Sequence, residues 1–115
     1  MRGLKKRTRT EDRIFEMQAD LCRALAHPKR LKILHHLKNG EMTVGGMVKL
    51  IGGSQANLSQ HLGVLRDRRL VTARRRGMNV CYAISNRKVA DACDLIREAL
   101  IESIEQERKS MGLGA

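Results

Sequence analysis

The sequence predicts one mainly α-helical domain that carries a single β-hairpin. Apolar residues recur at helical spacing in five segments, whereas Val80, Tyr82 and Ile84 alternate as in a strand, and Gly77 before them supplies a turn. With 115 residues, of which 42% are hydrophobic, the chain has enough apolar surface for one core. We therefore expect four helices, a two-stranded hairpin and a fifth helix, in that order.

The first two predicted helices meet at a proline. The first covers about residues 10–26, and the second ends at Asn39 and Gly40. His27 should end the first helix, because a residue before proline is pushed out of the α region. Pro28 suits the first turn of the second helix, where its missing N–H is not needed.

The middle of the chain has the pattern of a helix-turn-helix. Thr43 is a suitable cap for the third helix, and Gly52 and Gly53 tolerate the positive φ that ends and redirects it. Ser54 is a good N-cap for a fourth helix, worth roughly 1 kcal/mol over alanine. The apolar stripe of that helix consists of Leu58, Leu62 and Leu65. A hairpin that begins at Val71 completes a winged helix-turn-helix.

The last helix is predicted over residues 87–110 and is long for a chain of this size. Its apolar seam follows helical spacing through Val89, Cys93, Ile96, Leu100 and Ile104. Such regularity is typical of a helix that packs on a second helix. We expect a homodimer that forms through the first and last helices. The alternative is packing of this seam onto its own domain.

The distribution of charge indicates a polyanionic partner. The formal net charge is +11, and residues 54–88 contain eight basic residues and a single acid, Asp67. Half of the twelve acids lie on the last helix instead. Aromatic residues make up only 2% of the chain, which argues against stacking on single-stranded nucleic acid. Double-stranded DNA is the predicted partner.

The candidate DNA-binding residues lie on the fourth helix and on the hairpin. A short polar face opposite the leucine stripe suits the major groove, and arginines on the wing suit the phosphate backbone or the minor groove. The alternative is an ordinary solvated helix face. The candidates are Ser54, Gln55, Ala56, Asn57, Ser59, Gln60, His61, Arg66, Arg74, Arg75 and Arg76.

The ends of the chain and its cysteines bear on location. Residues 1–10 are predicted as a flexible basic arm without the apolar core of a signal peptide, residues 11–110 as the domain, and residues 111–115 as a frayed tail. No stretch approaches the ~18 consecutive apolar residues of a membrane span. Three cysteines without framework spacing indicate a reducing cytoplasm.

Several motifs together resemble the ArsR/SmtB family. They are L-A-H-P-K-R-L-K-I-L-H-H-L from Leu25, G-E-M-T-V from Gly40, S-Q-A-N-L-S-Q-H-L-G-V-L-R from Ser54 and R-R-R-G-M-N-V-C-Y from Arg74. Members of this family are dimeric winged-helix repressors that respond to metals, metalloids, redox or sulfur. The resemblance implies that the fourth helix enters the major groove and that the two-fold dimer binds a pseudo-palindromic site.

The known metal sites of the family are not intact in this sequence. The thiolate site on the third helix needs two cysteines at positions that hold Thr43 and Gly45, which cannot ligate a soft metal. The zinc site on the last helix retains one of its four ligands, since its positions hold Asn86, Lys88, Ala99 and Glu102. The persulfide sensors carry cysteines where this chain has His35 and Ile101.

The remaining candidates for an effector site are Cys22, Cys93 and Cys81. The first and last helices pack together in this fold, so Cys22 and Cys93 are expected to lie near each other. Two thiolates with a third suit As(III) or Sb(III), whereas two alone suit a disulfide or polysulfide bridge. Alternatively these cysteines only pack at the interface, and Cys81 in the wing is expected to be structural. A mixed site with His35 or His36 is a further alternative.

Two function classes compete after catalysis is set aside. The sequence has no H-E-x-x-H motif, no phosphate loop and no nucleophile with a base, so we expect no enzyme. The leading hypothesis is a DNA-binding repressor that a thiol-reactive effector releases at Cys22 and Cys93. The alternative is an effector-independent or architectural DNA-binding protein, which needs no two-state element.

Overall fold

A computed structural model describes residues 8–112, which form five helices and one small sheet. The helices are α1 (Arg9–Leu25), α2 (Pro28–Leu37), α3 (Val44–Ile51), α4 (Gln55–Asp67) and α5 (Arg87–Ser110), and the strands are β1 (Met42–Thr43), β2 (Val71–Arg76) and β3 (Asn79–Ile84). The winged helix-turn-helix predicted from the sequence is confirmed, with β1 as an addition.

The helices begin at side-chain caps that the sequence made recognisable. Thr43 Oγ1 accepts a hydrogen bond from the Gly46 N–H at 3.0 Å, as expected of a cap for α3. Pro28 opens α2 directly after His27. The helix α2 ends at Leu37, two residues earlier than predicted.

The predicted arm and tail are covered only in part. Thr8 caps α1, which begins at Arg9, and Met111 and Gly112 form a turn after α5. The rest of both predicted segments lies outside the described residues.

The sheet has the strand order β1-β3-β2, and both pairings are antiparallel. The hairpin places Arg74 opposite Cys81, and its turn contains Gly77 at φ 61°. Met42 of β1 pairs with Tyr82 on the other edge of β3. The sequence did not predict β1, because two residues are too few to show strand alternation. This strand attaches the base of the wing to the segment before α3.

One apolar cluster holds the helix-turn-helix and the sheet together. It contains the three leucines of the α4 stripe, the inner residues of α2, Met47 of α3, and Leu70 and Val71 at the start of the hairpin. Partly buried Leu21 and Leu25 of α1 and Val89 of α5 pack against it. The outward parts of α1 and α5 therefore take no part in this core.

The apolar faces of α1 and α5 continue beyond the core without a cover in the protomer. Exposed apolar residues lie on α1 at Ile14, Phe15 and Met17 and on α5 at Leu95, Ile96, Leu100, Ile101 and Ile104. The predicted seam of α5 is thus divided, since Val89 packs inward and its last three members are uncovered. Among residues 8–112, no helix combines the length and apolar composition needed to cross a membrane.

The helix α4 ends in a Schellman motif, a C-cap with two backbone hydrogen bonds whose left-handed residue is usually glycine. The Arg69 N–H bonds to the Arg66 carbonyl at 2.9 Å, and the Leu70 N–H bonds to the Leu65 carbonyl at 2.8 Å. Arg69 adopts φ 59°, the left-handed region that favours glycine. Leu65 and Leu70 are both buried, and this apolar contact keeps the cap closed despite the strain at Arg69.

Candidate nucleic-acid interface

The turn between α3 and α4 positions the start of α4 at the surface. Gly52 and Gly53 adopt φ 86° and 89°, as the sequence predicted, and Lys29 Nζ donates to the Gly52 carbonyl at 3.2 Å. Ser54 Oγ then accepts the Asn57 N–H at 3.0 Å and caps α4. The N-terminal turn of α4 consequently projects into solvent, with Ser54 itself exposed.

Four positions form the outward face of α4. Opposite the buried stripe, the 100° helical step brings Ala56, Ser59, Gln60 and Gly63 to one side, and all four are exposed. Gly63 leaves open space beside the polar pair. Gln55 and Asn57 are also exposed but flank this face, and the Gln55 amide approaches Gly45 of α3. A ligand that approaches α4 from the side opposite the leucine stripe contacts these four residues first.

His61 is set apart from that face and packs towards α2. Its ring lies 4.3 Å from the ring of His27, centroid to centroid, and its Nδ1 accepts a hydrogen bond from Arg30 Nε at 3.2 Å. Burial lowers the pKa of His61, and the charges of His27, Arg30 and Lys29 lower this pKa further. In this arrangement His61 holds α4 against α2 and its cap.

Arg30 connects three helices. Besides its bond to His61 on α4, its Nη1 donates to the Ala24 carbonyl near the end of α1 at 2.9 Å. His27 Nδ1 accepts the Lys29 N–H at 3.1 Å and caps α2 between them. The predicted local structural role of His27 agrees with this cap.

The three wing arginines do not act alike. Successive residues of β2 point to opposite faces of the sheet, so Arg75 lies on one face and Arg74 and Arg76 on the other. Arg76 Nε contacts Glu41 Oε1 at 2.7 Å, and Arg74 Nη2 contacts Glu41 Oε2 at 3.6 Å. Within the described part of the chain, Arg75 makes no ion pair and is exposed. An anionic ligand can therefore contact Arg75 without first displacing a carboxylate, unlike Arg74 and Arg76, which contact Glu41.

The basic residues at the end of α4 also differ from one another in their contacts. Arg68 Nε pairs with Asp20 Oδ2 of α1 at 2.9 Å, which attaches the end of α4 to α1. Arg66 lies at the far end of α4 from its N-terminal face and lines a shallow cavity with Arg69 and Ser85. Its position suits a contact at the edge of a DNA footprint rather than at its centre.

Two of the three cysteines line one cavity. This cavity, of about 580 Å³, lies between the end of α1, α2 and the first half of α5, and its wall includes Cys22 and Cys93. Cys22 is exposed and Cys93 is partly buried. Burial raises the pKa of the Cys93 thiol, with added contributions from Asp94 and Cys22. Cys22 and Cys93 thus face the same cavity within one protomer.

An ion-pair cluster adjoins Cys93 and joins α5 to α2. Asp94 accepts a short hydrogen bond from Lys38 and pairs through Oδ1 with His35 Nδ1 at 3.5 Å. Lys38 also pairs with Asp91 at 2.8 Å. The Lys38 bond lowers the pKa of Asp94, and the bonds of Lys38 to Asp91 and Asp94 raise the pKa of Lys38. Any displacement of α5 at Cys93 therefore reaches α2 directly.

Cys81 lies away from this cavity. It pairs with Arg74 and with Thr43 on the neighbouring strands of the sheet. Across residues 8–112, no three His, Cys, Asp or Glu side chains come together in a geometry that holds a metal ion.

Sequence reasoning missed Gly63 of the outward face. It also missed two residues that organise the site, Glu41 and Arg30. Glu41 acts through β1, a strand too short to predict, and Arg30 acts through contacts far apart in the chain. Their only sequence signal is position: Glu41 directly precedes the cap of α3, and Arg30 lies one turn after His27. Neither signal distinguishes an organising residue from a solvated one.

The sequence of this chain matches a family model, several related proteins and several solved structures. The model described as "Bacterial regulatory protein, arsR family" matches residues 27–73. The uncharacterized HTH-type transcriptional regulator Rv0081 of Mycobacterium tuberculosis is 35% identical over 88 residues, which cover 76% of this chain and 77% of that protein. A probable mercury resistance operon repressor of Streptomyces lividans is 43% identical over 79 residues, covering 69% and 63% of the two chains.

Solved structures agree with these relatives. The crystal structure of Rv0081 superposes with a TM-score of 0.72 at 33% identity, covering 82% of this chain and 95% of that one. The homodimeric winged helix-turn-helix DNA-binding domain of Mb0332 from Mycobacterium bovis, a possible ArsR-family regulator, gives 0.77 at 29% identity, covering 92% and 95%. On this basis the chain belongs to the ArsR family of bacterial DNA-binding transcription regulators.

Proposed function

We propose that this protein is a homodimeric repressor that reads a pseudo-palindromic DNA duplex with α4 and contacts its backbone with the wing. The observation that carries the proposal is the uncovered face of Ala56, Ser59, Gln60 and Gly63 at the surface beside a strongly basic hairpin. Small and polar side chains allow an α-helix to approach base edges in the major groove. Ser59 and Gln60 donate and accept hydrogen bonds there, and Gly63 allows a close approach.

The two uncovered apolar faces support a dimer. Ile96, Leu100 and Ile104 of α5 are 55–63% exposed, and α1 adds a second apolar patch, a combination that a soluble monomer rarely presents. The related Mb0332 domain is homodimeric. A two-fold pairing of these helices places two copies of α4 on one side of the assembly. Half-sites about one helical turn apart then fit both copies.

The effector is proposed to act at Cys22 and Cys93. Both cysteines line one cavity. The related Streptomyces lividans protein is named as a probable repressor of a mercury resistance operon, and mercury is a metal that reacts with thiols. With two thiols and no third ligand in the described residues, we favour a disulfide or polysulfide bridge over As(III). Cys22, the exposed thiol, loses its proton and attacks a sulfur of the polysulfide, which breaks an S–S bond, leaves a persulfide on Cys22 and releases a shorter polysulfide. Cys93 then loses its proton and attacks the inner sulfur of that persulfide, which forms the disulfide and releases hydrosulfide, so the polysulfide takes up the two electrons.

The bridge would act on DNA binding through α2. Drawing α5 towards α1 at Cys93 moves Asp94, which pairs with Lys38 and His35 of α2. The helix α2 in turn packs on α4 and carries Arg30, the partner of His61. The bridged and reduced states then present the two copies of α4 at different separations, which is the two-state element a sensor needs.

The test of DNA contact is fluorescence anisotropy on a duplex from the region upstream of the protein's own gene and on a scrambled duplex. Gln60→Ala should relax discrimination at one base pair, because it removes a base-edge contact. Arg75→Ala should weaken both duplexes about equally, because it removes a phosphate contact. Equal binding of both duplexes by the wild type, with neither variant altered, would contradict the proposal.

The test of release uses the same upstream duplex with reduced protein, then with polysulfide, then with arsenite. Polysulfide should release the wild type and the control variant Cys81→Ser, but neither Cys22→Ser nor Cys93→Ser. Arsenite should have a smaller effect, since residues 8–112 of one protomer bring no third His, Cys, Asp or Glu ligand to the two thiols. Tight binding that ignores both agents would support the second candidate, an effector-independent regulator whose cysteines only pack.

A further inference from the structure

One carboxylate holds two of the three wing arginines. Glu41 lies just before β1, and the pairing of β1 with β3 fixes it at the base of the hairpin. Its two oxygens reach different arginines, Oε1 to Arg76 Nε at 2.7 Å and Oε2 to Arg74 Nη2 at 3.6 Å. The Glu41 side chain is 29% exposed, whereas the arginines are 63% and 54% exposed. A partly enclosed acid thus faces two cations at the surface that would meet DNA.

We propose that Glu41 is a positioning residue that sets the specificity of DNA binding by holding Arg74 and Arg76 and offsetting part of their charge. This inference rests on the placement of the wing on DNA proposed above. Sequence-independent affinity comes from the number of phosphates that cations neutralise. Glu41 reduces the net charge of this cluster from +2 to +1, so the wing attracts any duplex less strongly.

The geometry of the contact preserves recognition while it reduces attraction. Glu41 contacts Arg76 through Nε, and within residues 8–112 no ion pair takes up the two Nη groups of Arg76, whose direction this contact sets. A guanidinium held in one orientation by a carboxylate can contact a groove or phosphate in only one position of the protein along the DNA. A guanidinium without such a contact can reorient and bind whichever phosphate is near. Glu41 therefore lowers binding to unrelated DNA more than binding to the correct site.

The experiment measures the affinity of reduced protein for the upstream duplex and for a scrambled duplex over a series of salt concentrations. For Glu41→Gln, the slope of log K against log salt on the scrambled duplex should steepen by about 0.9 per protomer, and so by about 1.8 for the dimer, the value for one added phosphate contact at each of its two wings. Affinity for the scrambled duplex should rise severalfold and affinity for the upstream duplex should rise less. The ratio between the two duplexes should therefore fall.

Glu98→Gln is the charge-matched control. Glu98 lies on α5 opposite the seam, and its replacement raises the net charge equally without touching the wing. It should leave slope and ratio at their wild-type values. The double variant E41Q/R76A removes one charge of each sign from the cluster and should return the slope to that of the wild type.

Two results would overturn the inference. One is a Glu41→Gln slope and ratio equal to those of Glu98→Gln, and the other is a double variant as steep as Glu41→Gln alone. Arg75→Ala separates this failure from failure of the proposed DNA interface. If Arg75→Ala weakens both duplexes while Glu41→Gln changes nothing, the wing contacts DNA and only the role of Glu41 is wrong.

Discussion

Replacing Leu100 by alanine should weaken the proposed dimer by about two orders of magnitude. Leu100 lies in the middle of the uncovered part of the α5 seam and is 60% exposed in the protomer. Leucine to alanine removes three carbons, and burial is worth about 0.8 kcal/mol per carbon. Scaled by the exposed fraction, the loss is about 1.4 kcal/mol per protomer and about 2.9 kcal/mol per two-fold dimer, or roughly 100-fold in the dissociation constant.

Sedimentation equilibrium at several protein concentrations measures this change. Leu50→Ala is the matched control, because Leu50 has the same exposure, 59%, but lies on α3, away from the α1 and α5 faces. It should change dimerisation less than about threefold, and circular dichroism should show both variants folded. A Leu100→Ala dimer as tight as the wild type would refute the assignment of the seam, as would equal weakening by Leu50→Ala.

Three further changes probe the structural assignments. Arg69→Gly should raise the free energy of unfolding by about 0.5–1 kcal/mol in urea denaturation, because glycine relieves the left-handed conformation at the end of α4; no gain would place the strain elsewhere. The folded-state pKa of His61 lies below its ordinary 6.5, so the unfolded chain binds the extra proton and stability should fall as pH drops below that value. Thermal melts from pH 7.5 to 5.5 should show this loss reduced in His61→Gln, and an unchanged loss would contradict it. Asp94→Asn should lower stability at neutral pH by at least about 0.2–1 kcal/mol, the range for exposed ion pairs, because the Lys38 and Asp94 side chains are only 18% and 30% exposed. Because the pKa of Asp94 is lowered from 3.8, the wild-type advantage should persist above that value and disappear as pH falls through the lowered pKa. An equal advantage at pH 2 would contradict the assignment.

Local signals account for the parts of the fold that the sequence predicted. Proline at the start of α2, hydroxyl caps at Thr43 and Ser54, and two glycines at the turn each act within a few residues, so each was readable without the structure. The same holds for the leucine stripe of α4, which is buried as its spacing indicated. The limits of α5 also followed from its periodicity.

Contacts between distant residues account for what the sequence did not predict. Glu41 and Arg76 are 35 positions apart, and their meeting depends on the pairing of β1 with β3. His61 was grouped with the DNA-facing residues because it follows Gln60, but a further 100° of helical rotation turns it towards His27. Sequence spacing assigns a residue to a helix face only within about one step, and flanking residues are decided by the neighbouring helix.

The contacts of Arg30 have a consequence for the spacing of the two DNA half-sites that the proposed dimer can bind. A single guanidinium joins the carbonyl end of α1, a helix of the proposed dimer contact, to His61 on α4. In the proposed dimer, the distance between the two copies of α4 would then depend on the Arg30 side chain as well as on the apolar core. Operators whose half-sites are moved by one base pair would measure how closely that distance is held, and loss of the Arg30 contacts should widen the range of spacings bound.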